Sequence, residues 1–177
     1  MKKNNLIALA IFIVATSLSA LSAKGQDAKL RADAATAKQS FLNTDPAMSG
    51  LFASSAGYAI FPNIGKAGIA VGGAAGNGVV YQGETIIGSA KMKQLTVGFQ
   101  LGAQKYREVI FFQDQSALNR FKENGFEFSA QASAVAVTKG ASTNVKYREG
   151  VMVFTQEKGG LMYEASVGGQ KFKFTPN

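Results

Sequence analysis

The sequence predicts an α+β protein, predominantly antiparallel β in a barrel- or sandwich-like arrangement, with an N-terminal helical segment and one short internal helix. Three observations carry that expectation. Leu95, Val97, Phe99 and Leu101 alternate with Thr96, Gly98, Gln100 and Gly102, the period of two that a half-buried strand requires. Val109-Ile110-Phe111-Phe112 is apolar at every position, as in a strand buried on both faces. Between Gly65 and Gly78 six glycines fall in fourteen positions of β-type sequence, where they let strands bend sharply and backbones approach closely.

The elements follow in order. Lys2 and Lys3 precede an apolar run from Leu6 to Ala15 and then small residues (Ser17, Ser19, Ala20, Ser22, Ala23), the three parts of a secretory signal peptide. Cleavage could follow Ser22 or Gly25; the second is preferred, giving a signal at 1–25 and a single domain at 26–177. The expected location is periplasmic or extracellular, soluble or peripheral to a membrane. Asp27 is placed to cap a helix to about Leu42, with Leu30, Ala34, Ala37 and Phe41 on one stripe and Lys29, Arg31 and Lys38 off it. A stripe this rich in alanine suits packing on a sheet better than insertion into a bilayer, the alternative for a basic amphipathic helix.

Asp45-Pro46 is a second helix start, with Met48, Leu51 and Phe52 on one face and Gly57 as a left-handed close. Tyr58 to Phe61 reads as a strand halted by Pro62. Gln82-Gly83 turns between two strands, and Asp114 caps a short helix carrying Leu118 and Phe121, stopped at Asn124-Gly125. A weak β-stretch from Phe126 to Val137 precedes a meander. Its strands are Val151–Thr155 and Leu161–Val167 about a Lys158-Gly159-Gly160 turn, then Phe172 and Phe174 after Gly168-Gly169.

Composition excludes more than it proposes. The 177 residues contain neither His nor Cys, so there is no imidazole base, thiolate nucleophile, usual zinc ligand set or lipidated N-terminal cysteine. An enzyme is not expected, nor any cofactor. Gly65-Lys66 lacks the Ser/Thr and upstream glycine of a P-loop, and Gly72 to Gly78 is not a dinucleotide fingerprint. No nucleic-acid partner is expected. Glu108, Asp114, Glu149 and Glu164 are the carboxylates that could pair across strands, but Glu108 and Glu149 each follow an arginine, which suggests exposed ion pairs. Without the signal, 16 basic residues face 11 acidic ones, a net +5.

Basic residues recur as i, i+2 pairs: Lys91/Lys93, Lys105/Arg107, Lys146/Arg148 and Lys171/Lys173. On a strand each pair projects from one face. Two pairs share the tetrapeptide Lys-Tyr-Arg-Glu, at 105–108 and 146–149. Such lysines can simply face solvent and discourage edge pairing. Gathered on one side, each would contribute about 1 kcal/mol toward an anionic headgroup surface.

Ala59-Ile60-Phe61-Pro62, Lys66-Ala67-Gly68, Val71-Gly72-Gly73, Gly76-Asn77-Gly78, Gly98 to Gln104, Val109 to Phe112 and Lys158 to Tyr163 occur in an ordered series. In that series the chain resembles the SYLF domain family over nearly all of 26–177. The resemblance implies lipid binding. Eukaryotic members bind phosphoinositides and other acidic phospholipids, a yeast branch binds actin filaments, and bacterial members are small exported proteins. For an exported bacterial chain it implies anionic membrane lipids as partners, with actin out of reach. It also implicates the basic N-terminal segment, here Lys29, Arg31 and Lys38. Two other readings remain open: an envelope assembly protein acting by self-association or partner binding, and a carrier of a single acyl chain.

Overall fold

Helix α1 (Lys3–Thr44) opens the structure, a computed structural model that describes residues 3–69, 71–97, 103–123, 125–129, 132–158 and 164–177. The helix does not start at Asp27 but runs through it. Asp27 pairs with Arg31 at 2.9 Å and Asp33 with Lys29 at 2.7 Å, both i, i+4 contacts that support helix rather than end it. Ala34, Ala37 and Phe41 are buried, so the alanine stripe packs on the sheet as the spacing predicts.

The turn into α2 (Met48–Ser54) is held by Asp45 in a way its sequence does not reveal. The buried carboxylate accepts from the N–H groups of Ala47 (3.2 Å), Gly140 (3.1 Å) and Ser142 (2.8 Å), pinning the 3-10 turn Ala141–Asn144 to the helices. Burial alone would raise the Asp45 carboxyl, but these N–H groups outweigh it and hold it below the usual range. A group depressed on folding contributes its stability above the unfolded pKa and loses it as pH falls through the folded one. Asp45→Ala should therefore lower the unfolding free energy at neutral pH by about 2–3 kcal/mol in urea denaturation, with the deficit shrinking in acid. Parental stability in that variant would mean that other contacts hold the loop. Gly57, expected to be left-handed, is instead the first residue of a strand. A Cβ there would stand 2.5 Å from the Tyr81 carbonyl oxygen.

Eight strands form one sheet in the order β7-β5-β6-β4-β1-β2-β3-β8. They are β1 (Gly57–Ile69), β2 (Val71–Gln82), β3 (Thr85–Val97), β4 (Ala103–Phe112), β5 (Ser133–Ala136), β6 (Val151–Glu157), β7 (Glu164–Ser166) and β8 (Lys171–Pro176). Every pairing is antiparallel except β5–β6. Pro62 does not end β1. It sits in a bulge, with Ile60 opposite Val79 and Asn63 opposite Asn77, where its missing N–H is tolerated. The bulge leaves Phe61 and Ile64 in the same core. Gly78 lies beneath Phe61, whose ring would be 2.7 Å from an added Cβ, the close approach expected of the glycine-rich segment.

The expected meander does not form. β5 separates β6 from β7, and β8 pairs with β3. The Gly159-Gly160 turn, Leu161, and the Phe99 and Leu101 portion of the alternating strand lie outside the described residues. Of the weak stretch from Phe126 to Val137, Ser133–Ala136 is a strand and Glu127 a single bridge to Lys171. Phe128 N–H donates to Gln170 O (3.0 Å) and Phe172 N–H to Phe126 O (2.9 Å), so this segment runs along β8. Val167 N–H, at the end of β7, then donates to Ala132 O (3.2 Å). The two ends of the sheet are thereby brought together and the sheet curls, barrel-like rather than sandwich-like.

One core lies on the inner face, where Phe61, Ile110, Phe112 and Phe172 meet Leu118 and Phe121 of α3 (Gln115–Lys122). Asp114 caps α3 as expected, accepting from Ala117 N–H at 2.8 Å. The other core lies on the outer face, where α1 and α2 cover Tyr58, Ile60, Val109, Phe111 and Phe154. Val109 to Phe112 are thus buried on both faces, as their unbroken apolarity requires.

Candidate functional site

The register of β3 against β8 decides the fate of two basic pairs. Lys91 stands directly opposite Lys173, and Lys93 opposite Lys171. Ala90 and Met92 point into the inner core, so the alternation sends these lysines outward, and all four are exposed. Lys171 pairs with Glu127 at 3.3 Å; among the described residues Lys91, Lys93 and Lys173 have no acidic partner. Like charges directly opposite one another destabilise a sheet. Here two such pairs occur side by side.

The same face continues across the sheet. Lys93 is in register with Ala75, Ala75 with Gly65, and Gly65 with Lys105. One row therefore reads Lys171, Lys93, Ala75, Gly65, Lys105 over five strands. Its lysines are separated by positions that carry almost no side chain. At the usual strand spacing, Lys105 lies about 14 Å from Lys93. Lys158, absent from the sequence-based candidates, joins this end: its N–H donates to Lys105 O at 3.0 Å and its ammonium bonds Asn63. Burial lowers the Lys158 pKa, and neighbouring Arg107, Lys105 and Lys29 lower it further against Asp33. Lys158 belongs to no i, i+2 pair, so only the β4–β6 register could have found it.

The phase that exposes the lysines also overturns an expectation. Alternation places Leu95 among the inward members of a half-buried strand, yet it is 84% exposed on the face of Lys91 and Lys93. Gln94 is the buried neighbour, donating to Gly168 O at 3.0 Å.

The other sequence-based candidates do different work. Arg107 is half-buried and donates to Gln156 (2.9 Å) and to Ser40 of α1, clamping helix to sheet; burial lowers its pKa. Lys38 bonds the Tyr58 hydroxyl (2.9 Å) and Glu84 (3.1 Å) with its ammonium over the Phe52 and Tyr58 rings. Arg31 is held by Asp27 and by Asn177. Lys29 pairs with Asp33 but stands beside the Lys158 end of the row. Lys146 and Arg148 precede β6, which starts opposite Phe112 at the far end of β4 from Lys105. They line an open cleft of about 690 Å³ floored by Val135, Met152 and Val153. Three pairs thus share the outer sheet face, and the fourth does not.

Among the described side chains, Glu108, Asp114 and Glu149 do not meet as an acid/base couple. Glu108 is no exposed partner of Arg107, because adjacent strand residues point to opposite faces. It is fully buried between Phe61 and Thr155 and accepts from Gln170 Nε2 at 3.0 Å. Among the described residues its Oε1, Thr155 Oγ1 and Gln170 Oε1 have no hydrogen-bond partner. Burial pushes the Glu108 carboxyl up to about 7, against the Gln170 bond. Burial and then the Glu108 charge raise the Tyr106 hydroxyl. Asp114 is spent on its cap, and Glu149 is exposed in a turn. Among the described residues no three acidic side chains gather to hold a metal.

A curled sheet with helices on its outer face and a lysine row beside them is the arrangement to set against known proteins. Residues 93–176, which hold Lys93, Lys105, Lys171 and Lys173, match the Ysc84 family model, described as Las17-binding protein actin regulator. Beta cell expansion factor A of Aeromonas veronii is 28% identical over 140 residues, covering 77% of this chain and 52% of that protein. The chain spans about half the length of that relative. Over the C-terminal stretch 93–176 the chain is similar to the SYLF family, a class of lipid- and actin-binding domains.

Proposed function

We propose that this is a non-catalytic, exported protein that binds anionic phospholipid headgroups through the outer face of its sheet. The contacts are Lys91, Lys93, Lys171 and Lys173, with Lys105, Lys158 and Lys29 flanking them. One observation carries the reading: lysines directly opposite one another on β3 and β8, most of them without acidic partners. Such a juxtaposition costs folding energy that an external anion would offset. Four lysines at a negative surface contribute together about 4 kcal/mol, roughly a thousandfold in partition. In the row of Lys93 and Lys105, Ala75 and Gly65 leave room for a headgroup against the backbone. Vesicles of graded phosphatidylglycerol content test this by co-sedimentation. Binding should rise steeply with anionic fraction and fall between about 0.05 and about 0.5 M salt, where the screening length becomes shorter than the lysine row. Adhesion indifferent to both variables would rule the mechanism out.

A further inference from the structure

We infer that the lysine face docks on a bilayer rather than on a soluble polyanion, and that Leu95 is the apolar anchor that enters the acyl boundary. This rests on the headgroup-binding reading above and names the partner of the same site. Among the described residues Leu95 is the one large hydrophobic side chain left exposed, at 84%. A single exposed leucine is ordinary on a soluble protein. Its position is not. Leu95 follows Lys91 and Lys93 on the same side of β3, about 7 Å beyond Lys93 along the strand.

Beside it the register places Gly73 of β2 and then Ala67 of β1, with Ala75 and Gly65 in the next row. The side chains at these four positions are too small to shield Leu95, which shares its face of the sheet with Lys91 and Lys93. β8 begins opposite Lys93, so no β8 partner stands opposite Leu95 either. A soluble polyanion would use the lysines and gain nothing from a leucine. A bilayer uses both: flexible lysine stems carry their ammonium groups up to the phosphates while an apolar side chain passes beneath them.

The chain has no tryptophan, so Leu95→Trp introduces a single emitter at the anchor. With vesicles of phosphatidylglycerol and phosphatidylcholine, its emission should shift to the blue and be quenched by brominated acyl chains. Asn119→Trp, on the exposed side of α3, should show neither change. Leu95→Ser should weaken vesicle partition by about tenfold or more. It should leave retention by inorganic polyphosphate unaltered. Full co-sedimentation of the Leu95→Trp variant with unshifted, unquenched emission would overturn the anchor while leaving headgroup binding intact. Absence of any co-sedimentation in the parent protein would remove headgroup binding and the anchor together.

Discussion

Replacing Lys91 and Lys93 by glutamate is expected to make the folded protein more stable while abolishing its hold on anionic vesicles. Each glutamate would face a β8 lysine, Lys173 or Lys171, so two repulsive cross-strand pairs become two attractive ones. Each exchange is worth about 0.2–1 kcal/mol to the sheet. A lysine near an anionic surface contributes about 1 kcal/mol, and reversing its sign roughly doubles the change. The double variant should lose about 4 kcal/mol of surface binding, near a thousandfold. Thermal melts and co-sedimentation in one buffer read both effects. Opposite movement of the two is the signature of a face kept basic for a partner. Greater stability with undiminished binding would show that these lysines do not dock. Loss of both would point to a folding defect instead.

The second large effect concerns Glu108. Its carboxyl is held at about 7 in the fold against an ordinary value of 4.5. The folded state therefore keeps a proton that the unfolded chain releases. Stability from this group is complete below pH 4.5, declines as pH rises toward 7, and is flat above that. The difference is about 3 kcal/mol. Asp45 acts in the opposite direction at lower pH, so stability should peak in mildly acidic solution. Glu108→Gln removes the ionisation while preserving an acceptor for Gln170, and its amide adds a donor beside Thr155 Oγ1 and Gln170 Oε1, which have no partners among the described residues. Urea midpoints at pH 5 and pH 8 should differ clearly for the parent and little for the variant. The gain at pH 8 should approach the same value of about 3 kcal/mol. An unchanged pH slope in Glu108→Gln would place the titration elsewhere.

What can be read along the chain depends on range. The Asp114 cap joins groups three residues apart, and the turn at Gly83 and the two-sided burial of Val109 to Phe112 are equally local. Asp45 bonds Gly140 and Ser142, nearly a hundred positions away, and nothing near Asp45 announces it. Alternation misplaces Leu95 because it gives a strand two faces without saying which is inner. Ala90 and Met92, packed against Phe172, settle that phase.

From its sequence alone this protein is a β-rich chain resembling the SYLF family, whose basic residues come in same-face strand pairs and which lacks His and Cys. Side-chain period, turn chemistry and residue inventory are properties of neighbours, so the order of residues suffices to specify them. Which pairs meet is a matter of strand order. β5 lies between β6 and β7, and β8 crosses to β3, bringing Lys91 and Lys93 against Lys173 and Lys171 while Lys146 and Arg148 stay at the other end. That choice follows from burying Phe172 with Phe61 and Phe121 in one inner core, a gain that exists only when distant segments close on one another.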